Sequence, residues 1–232
     1  MNRNIAKILI SSLVLLAITI GCAVYVNDYY PATPGEDISL DGARYADGMI
    51  ICESEGATKG LILYPGGKVD HEAYLPLAMA IADGGVSVVI CKMPLRLAVL
   101  DVNGADGVYE LLPEVSEWYI GGHSLGGSMA ASYMKGHPEI RGLVLLGSYS
   151  TADVSDRPTL SIYGTEDGVM NLEKYKKYKS NLGESCTEIV IEGGCHAYFG
   201  MYGSQNGDGT PGISAEEQIA ITAEHIIEFI NQ

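Results

Sequence analysis

The chain has 232 residues, 47% hydrophobic and 19% charged, enough apolar material for one sizeable domain with its own core and too much for a disordered chain. Its 14 Lys+Arg stand against 29 Asp+Glu, a formal net charge of −15, which excludes the basic footprint that nucleic acid requires. The one lysine-rich run, KYKKYK at 174–179, reads as the solvated face of a helix.

Residues 1–27 stand apart. Arg3 and Lys7 precede ILISSLVLLAITIGCAVYV at 8–26, a run without a charge that comes close to the roughly 20 residues needed to cross a bilayer as a helix. The run continues past TIGC, the best candidate cleavage site, so an uncleaved signal anchor is favoured over a cleaved signal peptide. Cys22 keeps a lipid-modified N-terminus as a third option, although Thr19 stands where such signals usually carry Leu. With Arg3 and Lys7 held in the cytoplasm, the remainder lies outside, giving a single-pass protein of the cell membrane.

Residues 28–44, with DYYPATPGED, read as a polar linker lifting the domain at 45–232 off the membrane. Along that domain GMIICES and KGLILYPGG read as strands, HEAYLPLAMAIADGG as a helix and VSVVICK as a buried strand. GVYELLPEV is a helical piece, followed by the strand EWYIGGH and a small-residue helix from SLGGSMAASYMKGH. IRGLVLLGSYS and PTLSIYG are strands, NLEKYKKYKSNLG a helix, CTEIVIEGG a strand, and SAEEQIAITAEHIIEFI a final helix capped by Ser214 and Glu217. Short apolar strands alternating with helices predict an α/β fold: a doubly wound, mostly parallel sheet covered on both faces, preceded by a transmembrane helix. Ligands in such sheets sit beyond the carboxyl ends of the strands.

The five cysteines predict no disulfide framework. Cys52 and Cys91 lie in apolar runs, and an extended strand between Cys186 and Cys195 separates them beyond the reach of a bridge.

Gly122-His123-Ser124-Leu125-Gly126 matches G-x-S-x-G between a strand and a helix. There a tight turn presents the serine as a nucleophile, and the glycines let helix and strand close on it. A serine needs a base. His196 is the histidine that follows a predicted strand, in IEGGCHAYFG. Asp167 in SIYGTEDGVM also follows a strand, with Glu166 as an adjacent rival. Ser124, Asp167 and His196 run in the order Ser…Asp…His that this architecture uses. The N–H of Leu125 and that of Gly67, in the loop after LILYP, are the expected oxyanion donors, the second uncertain in register by one residue.

With LILYPGGKVDHEAYLPLA, GGHSLGGSMAA, SIYGTEDGV and GGCHAYFGMYGSQNGDGTPGIS in place, the chain from about residue 45 resembles the α/β-hydrolase superfamily. It looks most like the lidless fold-5 branch related to dienelactone hydrolases. The resemblance implies a serine hydrolase with no metal and no organic cofactor, acting on a small ester or related acyl substrate. TADVSDR between two strands leaves no room for a cap domain, so the site should be open. Its walls are expected from residues 197–212, notably Tyr198 and Phe199, with Met93 opposite. An acyltransferase using the same residues, and a non-catalytic surface binding module on the same fold, are the alternative readings.

Overall fold

A computed structural model describes residues 3–33 and 42–232. Helix α1 (Arg3–Asn27) is apolar throughout its later part: the stretch Ile10–Asn27 has a mean hydropathy of 2.0, and none of it is buried against the rest of the chain. Length and hydropathy make it a candidate membrane span.

Eight strands form one sheet. In chain order they are β1 (Ala43–Ala46), β2 (Met49–Cys52), β3 (Lys59–Tyr64), β4 (Ser87–Ile90), β5 (Glu117–His123), β6 (Ile140–Leu146), β7 (Thr159–Gly164) and β8 (Cys186–Ile191). Their order across the sheet is β1-β2-β4-β3-β5-β6-β7-β8. From β4 to β8 every pairing is parallel, while β2 is antiparallel to β4 and β1 to β2. Among the described residues five further α-helices follow α1: α2 (Leu75–Asp83), α3 (Val108–Leu111), α4 (Leu125–Gly136), α5 (Leu172–Tyr178) and α6 (Ala215–Ile230).

The pleat sends alternate side chains of β3 to opposite faces. Leu61 and Leu63 join a core with α2 and α6 residues such as Leu77, Ile81 and Ile226, whereas Ile62 and Tyr64 join one with Ala130 and Met134 of α4 and Tyr175 of α5. The chain leaves β3 for β4 on one side and returns to β5 on the other. That makes the carboxyl ends of β3 and β5 a topological switch point, where sheets of this kind hold their ligands.

Three local expectations need amendment. The domain begins with β1, two residues earlier than expected, in a hairpin whose turn Asp47-Gly48 has positive φ at both positions (51° and 80°), the conformation tight hairpins prefer. The helical piece near GVYELLPEV is a single turn, α3, stopped before Pro113. The start of the expected linker does not hold the domain away from α1. Tyr30 bridges to Val69, donating its N–H to the Lys68 carbonyl (2.8 Å) and accepting from Asp70 N–H (3.0 Å), and Thr33 N–H donates to Met201 (2.8 Å). Residues 34–41 of that linker lie outside the described residues. Between β6 and β7, residues 147–158 contain no helix or strand and build no cap. Among the described residues all five cysteines are free thiols.

Candidate active site

Ser124 stands between β5 and α4 with φ 52° and ψ −121°, a conformation costly for any residue with a Cβ. The surroundings hold it there. Ser124 N–H donates to Leu146 of β6 (2.9 Å), and its carbonyl accepts from the Ser148 hydroxyl (2.7 Å). Gly126 is required by crowding: a Cβ there would lie 2.3 Å from the carbonyl oxygens of both Tyr64 and Pro65. Helix α4 therefore starts in direct backbone contact with the end of β3.

His196 and Asp167 meet behind this turn. Nδ1 of His196 lies 2.8 Å from Oδ2 of Asp167, and each side chain is only 1% exposed. The other carboxylate oxygen accepts the N–H groups of Val169 (3.0 Å) and Met170 (2.8 Å). An ionised aspartate in this position has its lone pairs well satisfied, so Nδ1 is assigned as the protonated nitrogen and Nε2 as the free one. Nε2 is buried and has no hydrogen-bond partner among the described residues. Glu166, the rival carboxylate, turns to the Thr165 hydroxyl at 3.3 Å. Gly147, with φ 51°, makes room for the pair, since a Cβ there would sit 2.9 Å from Nδ1 of His196 and 3.0 Å from Oδ2 of Asp167.

Two groups that sequence reasoning missed hold this arrangement. Asp208 accepts the backbone N–H groups of His196 (2.9 Å) and Ala197 (2.8 Å), fixing the loop that carries the imidazole. His123 is the other. Its ring lies 4.4 Å from that of His196, and Nδ1 is 2.7 Å from the Tyr74 hydroxyl, which itself accepts Gly66 N–H at 2.9 Å. Burial pushes the pKa of His123 well below its ordinary value, with the neighbouring His196 adding to the effect. A neutral His123 accepts the Tyr74 proton at Nδ1. The chain Gly66–Tyr74–His123 thus ties the loop after β3 to the serine turn.

That loop leaves one amide over. Gly66 N–H is engaged by Tyr74 and Lys68 N–H by the Arg96 carbonyl (2.9 Å). Among the described residues neither Gly67 N–H nor Leu125 N–H has an acceptor. The two residues are in contact, with the Cβ position of Gly67 3.1 Å from Cδ2 of Leu125.

Ser124 opens onto a cleft of about 240 Å³ whose apolar walls are Tyr149, Val169 and Met170. The residues expected to form a pocket are placed elsewhere. Phe199 is fully buried against His123 (5.6 Å between rings), and Met93 borders a separate cavity with Pro65 and Leu95. Tyr198 lines a surface depression with Met201 and Ala215. Phe199 and Tyr202 fill the interior against His123, and residues 147–149 and 169–171 line the cleft instead. Among the described residues no three His, Cys, Asp or Glu side chains are grouped to hold a metal ion.

Comparison with known proteins follows the same outline. A family model described as "Alpha/beta hydrolase family" matches residues 60–220. No curated protein sequence matches the chain. Among solved structures, Est1E from Butyrivibrio proteoclasticus superposes with a TM-score of 0.61 at 15% identity, over 82% of this chain and 100% of its own. Dienelactone hydrolase from Anabaena variabilis gives 0.58 at 14%, over 78% and 89%. A structure titled as a membrane phospholipase A gives 0.55 at 15%, over 97% of this chain and 98% of its own. At these identities the likeness is one of fold.

Proposed function

Since the chain belongs to the alpha/beta hydrolase family, we propose that it is a serine hydrolase cleaving an ester or related acyl compound through an acyl-enzyme. The observation that carries this reading is the buried 2.8 Å contact between His196 and Asp167, at the same end of the sheet as the strained Ser124 turn. Asp167 holds His196 with its proton on Nδ1, leaving Nε2 to accept the Ser124 proton as the hydroxyl attacks the acyl carbonyl. The imidazolium then protonates the leaving group. The Leu125 and Gly67 N–H groups receive the developing oxyanion, and water, activated by the same imidazole, releases the acyl group.

The same reading keeps α1 as a single-pass anchor, with Arg3 and Lys7 in the cytoplasm and the domain outside. The length of the helix and the unburied, apolar stretch Ile10–Asn27 support the span itself. So does the match to the membrane phospholipase structure, which takes in nearly the whole chain.

The test is labelling of the membrane-embedded full-length protein with a fluorophosphonate probe, beside S124A and H196A. Labelling of the unsubstituted protein alone is expected. A folded protein that is not labelled would leave the non-catalytic binding module as the better reading. Turnover in the presence of an added alcohol, scored for a new ester, separates hydrolysis from acyl transfer.

A further inference from the structure

Six large hydrophobic side chains outside α1 are exposed among the described residues, and their distribution is uneven. Tyr45 and Val190 lie in the edge strands β1 and β8. The other four, Leu95 (54% exposed), Val99 (53%), Leu100 (55%) and Leu172 (41%), all lie just beyond the carboxyl ends of β4 and β7. That is the end of the sheet where the Ser124 cleft opens, and Leu172 is next to Asn171 of the cleft wall.

The end of α1 is fastened to the same loops. Lys68 Nζ lies 4.3 Å from the centre of the Tyr25 ring, in the last turns of α1, and 2.7 Å from the Asp28 carboxylate. The Arg96 guanidinium stacks 3.4 Å from the Tyr29 ring, and Tyr30 meets Tyr202 at 5.6 Å. Lys68 follows Gly67 directly, and Arg96 follows Leu95. With α1 spanning a bilayer up to Asn27, these contacts would leave no spacer before the domain and would bring the loops at 66–70 and 94–100 to the interface. Leu95 and Arg96 have φ of 50° and 59°, so the backbone accepts strain where Leu95 is turned outward. Exposed apolar residues flanked by Lys68, Lys92 and Arg96 match what a bilayer boundary accepts, apolar tips in the acyl region and cations at headgroup level.

We infer that the carboxyl-end face is seated on the membrane, with Leu95, Val99 and Leu100 in the acyl boundary, and that the cleft takes its substrate from the bilayer as an acyl glycerolipid. The inference about substrate rests on the hydrolase reading above. Ser124 Oγ would displace the lipid alcohol from its acyl carbonyl, with the serine proton passing through His196 to that alcohol. Water then adds to the acyl-enzyme, freeing a fatty acid and restoring the hydroxyl.

Two measurements on the full-length protein in phosphatidylcholine nanodiscs decide it. In V99W the introduced indole is expected to be quenched by lipids brominated along their acyl chains, while buried Trp118 supplies a constant background. Unquenched emission overturns the membrane seating, whatever the enzyme does. In V99S/L100S, release of fatty acid from nanodisc lipid is expected to fall about tenfold, because the lost apolar contact is what draws the face into the boundary. Hydrolysis of a water-soluble short-chain ester should be unchanged in that variant. Quenching combined with turnover of the soluble ester but not of lipid overturns the substrate class alone. Quenching with no turnover of either overturns the hydrolase reading, and the lipid substrate with it, while leaving the seating in place.

Discussion

Of the turns at this end of the sheet that carry non-glycine residues at positive φ, those at Ser124 and at Leu95-Arg96 are held by opposite means. Ser124 (φ 52°) is enclosed by glycines, a strand hydrogen bond and the Gly66–Tyr74–His123 chain. Leu95 and Arg96 (φ 50° and 59°) sit on an open surface, held by the Lys68 N–H contact and by Tyr29 stacked on the guanidinium. Strain in the first turn is over-determined by packing. In the second it depends on the segment that leaves α1. A strained residue is therefore informative only with its support: interior support points to positioned chemistry, surface support to a contact the rest of the chain completes.

The largest effect belongs to the first turn. D167N keeps the shape of the site but presents an amide to Nδ1 and loses the tautomer, so turnover should fall by about 10⁴-fold with the fold retained. Equal turnover in D167N would break the proposed link between the turn and its carboxylate. A smaller effect sharpens the role of His123. Its pKa is depressed in the folded state, while in the unfolded chain it takes a proton near the ordinary value of about 6.5. Below that pH the unfolded state binds more protons, so stability is full above it and is lost as pH falls. Urea midpoints at acidic and neutral pH should show this slope flattened in H123N. An unchanged slope would remove His123 as its source. The smallest effect is at the second turn. Y29A removes one cation–π contact, about 0.5–1 kcal/mol, and should lower Tm by roughly 2 °C. No change in Tm would mean that Tyr29 does not support Arg96.

Chain order and strand ends made the meeting of Asp167 and His196 legible, because residues just past parallel strands converge at one edge whatever the loops do. The choice between Asp167 and Glu166 needed the structure, since adjacent carboxylates after a strand look alike until one is seen to accept the amides of Val169 and Met170. The pocket walls were illegible for a physical reason. Phe199 and Met93 are apolar, and an apolar side chain near a site fills the core as readily as it lines the cleft. Asp208 carried no signal, being one acidic residue in a glycine-rich tail, although two amides depend on it. The β1–β2 hairpin did have a signal, Asp47-Gly48 between two apolar-bearing stretches. The packing of Tyr30 on Val69 did not, because tyrosines beside a proline read equally well as a solvated spacer.

The bare connection at 147–158 has a kinetic consequence. Enzymes that close a lid over the bound substrate often turn over no faster than the lid reopens. Here no helix or strand between β6 and β7 stands over Ser124, so on the proposed reading no cap at that connection has to open before substrate enters or product leaves. On the proposed hydrolase reading, the chemical steps and not the reopening of a cap are then expected to set the rate.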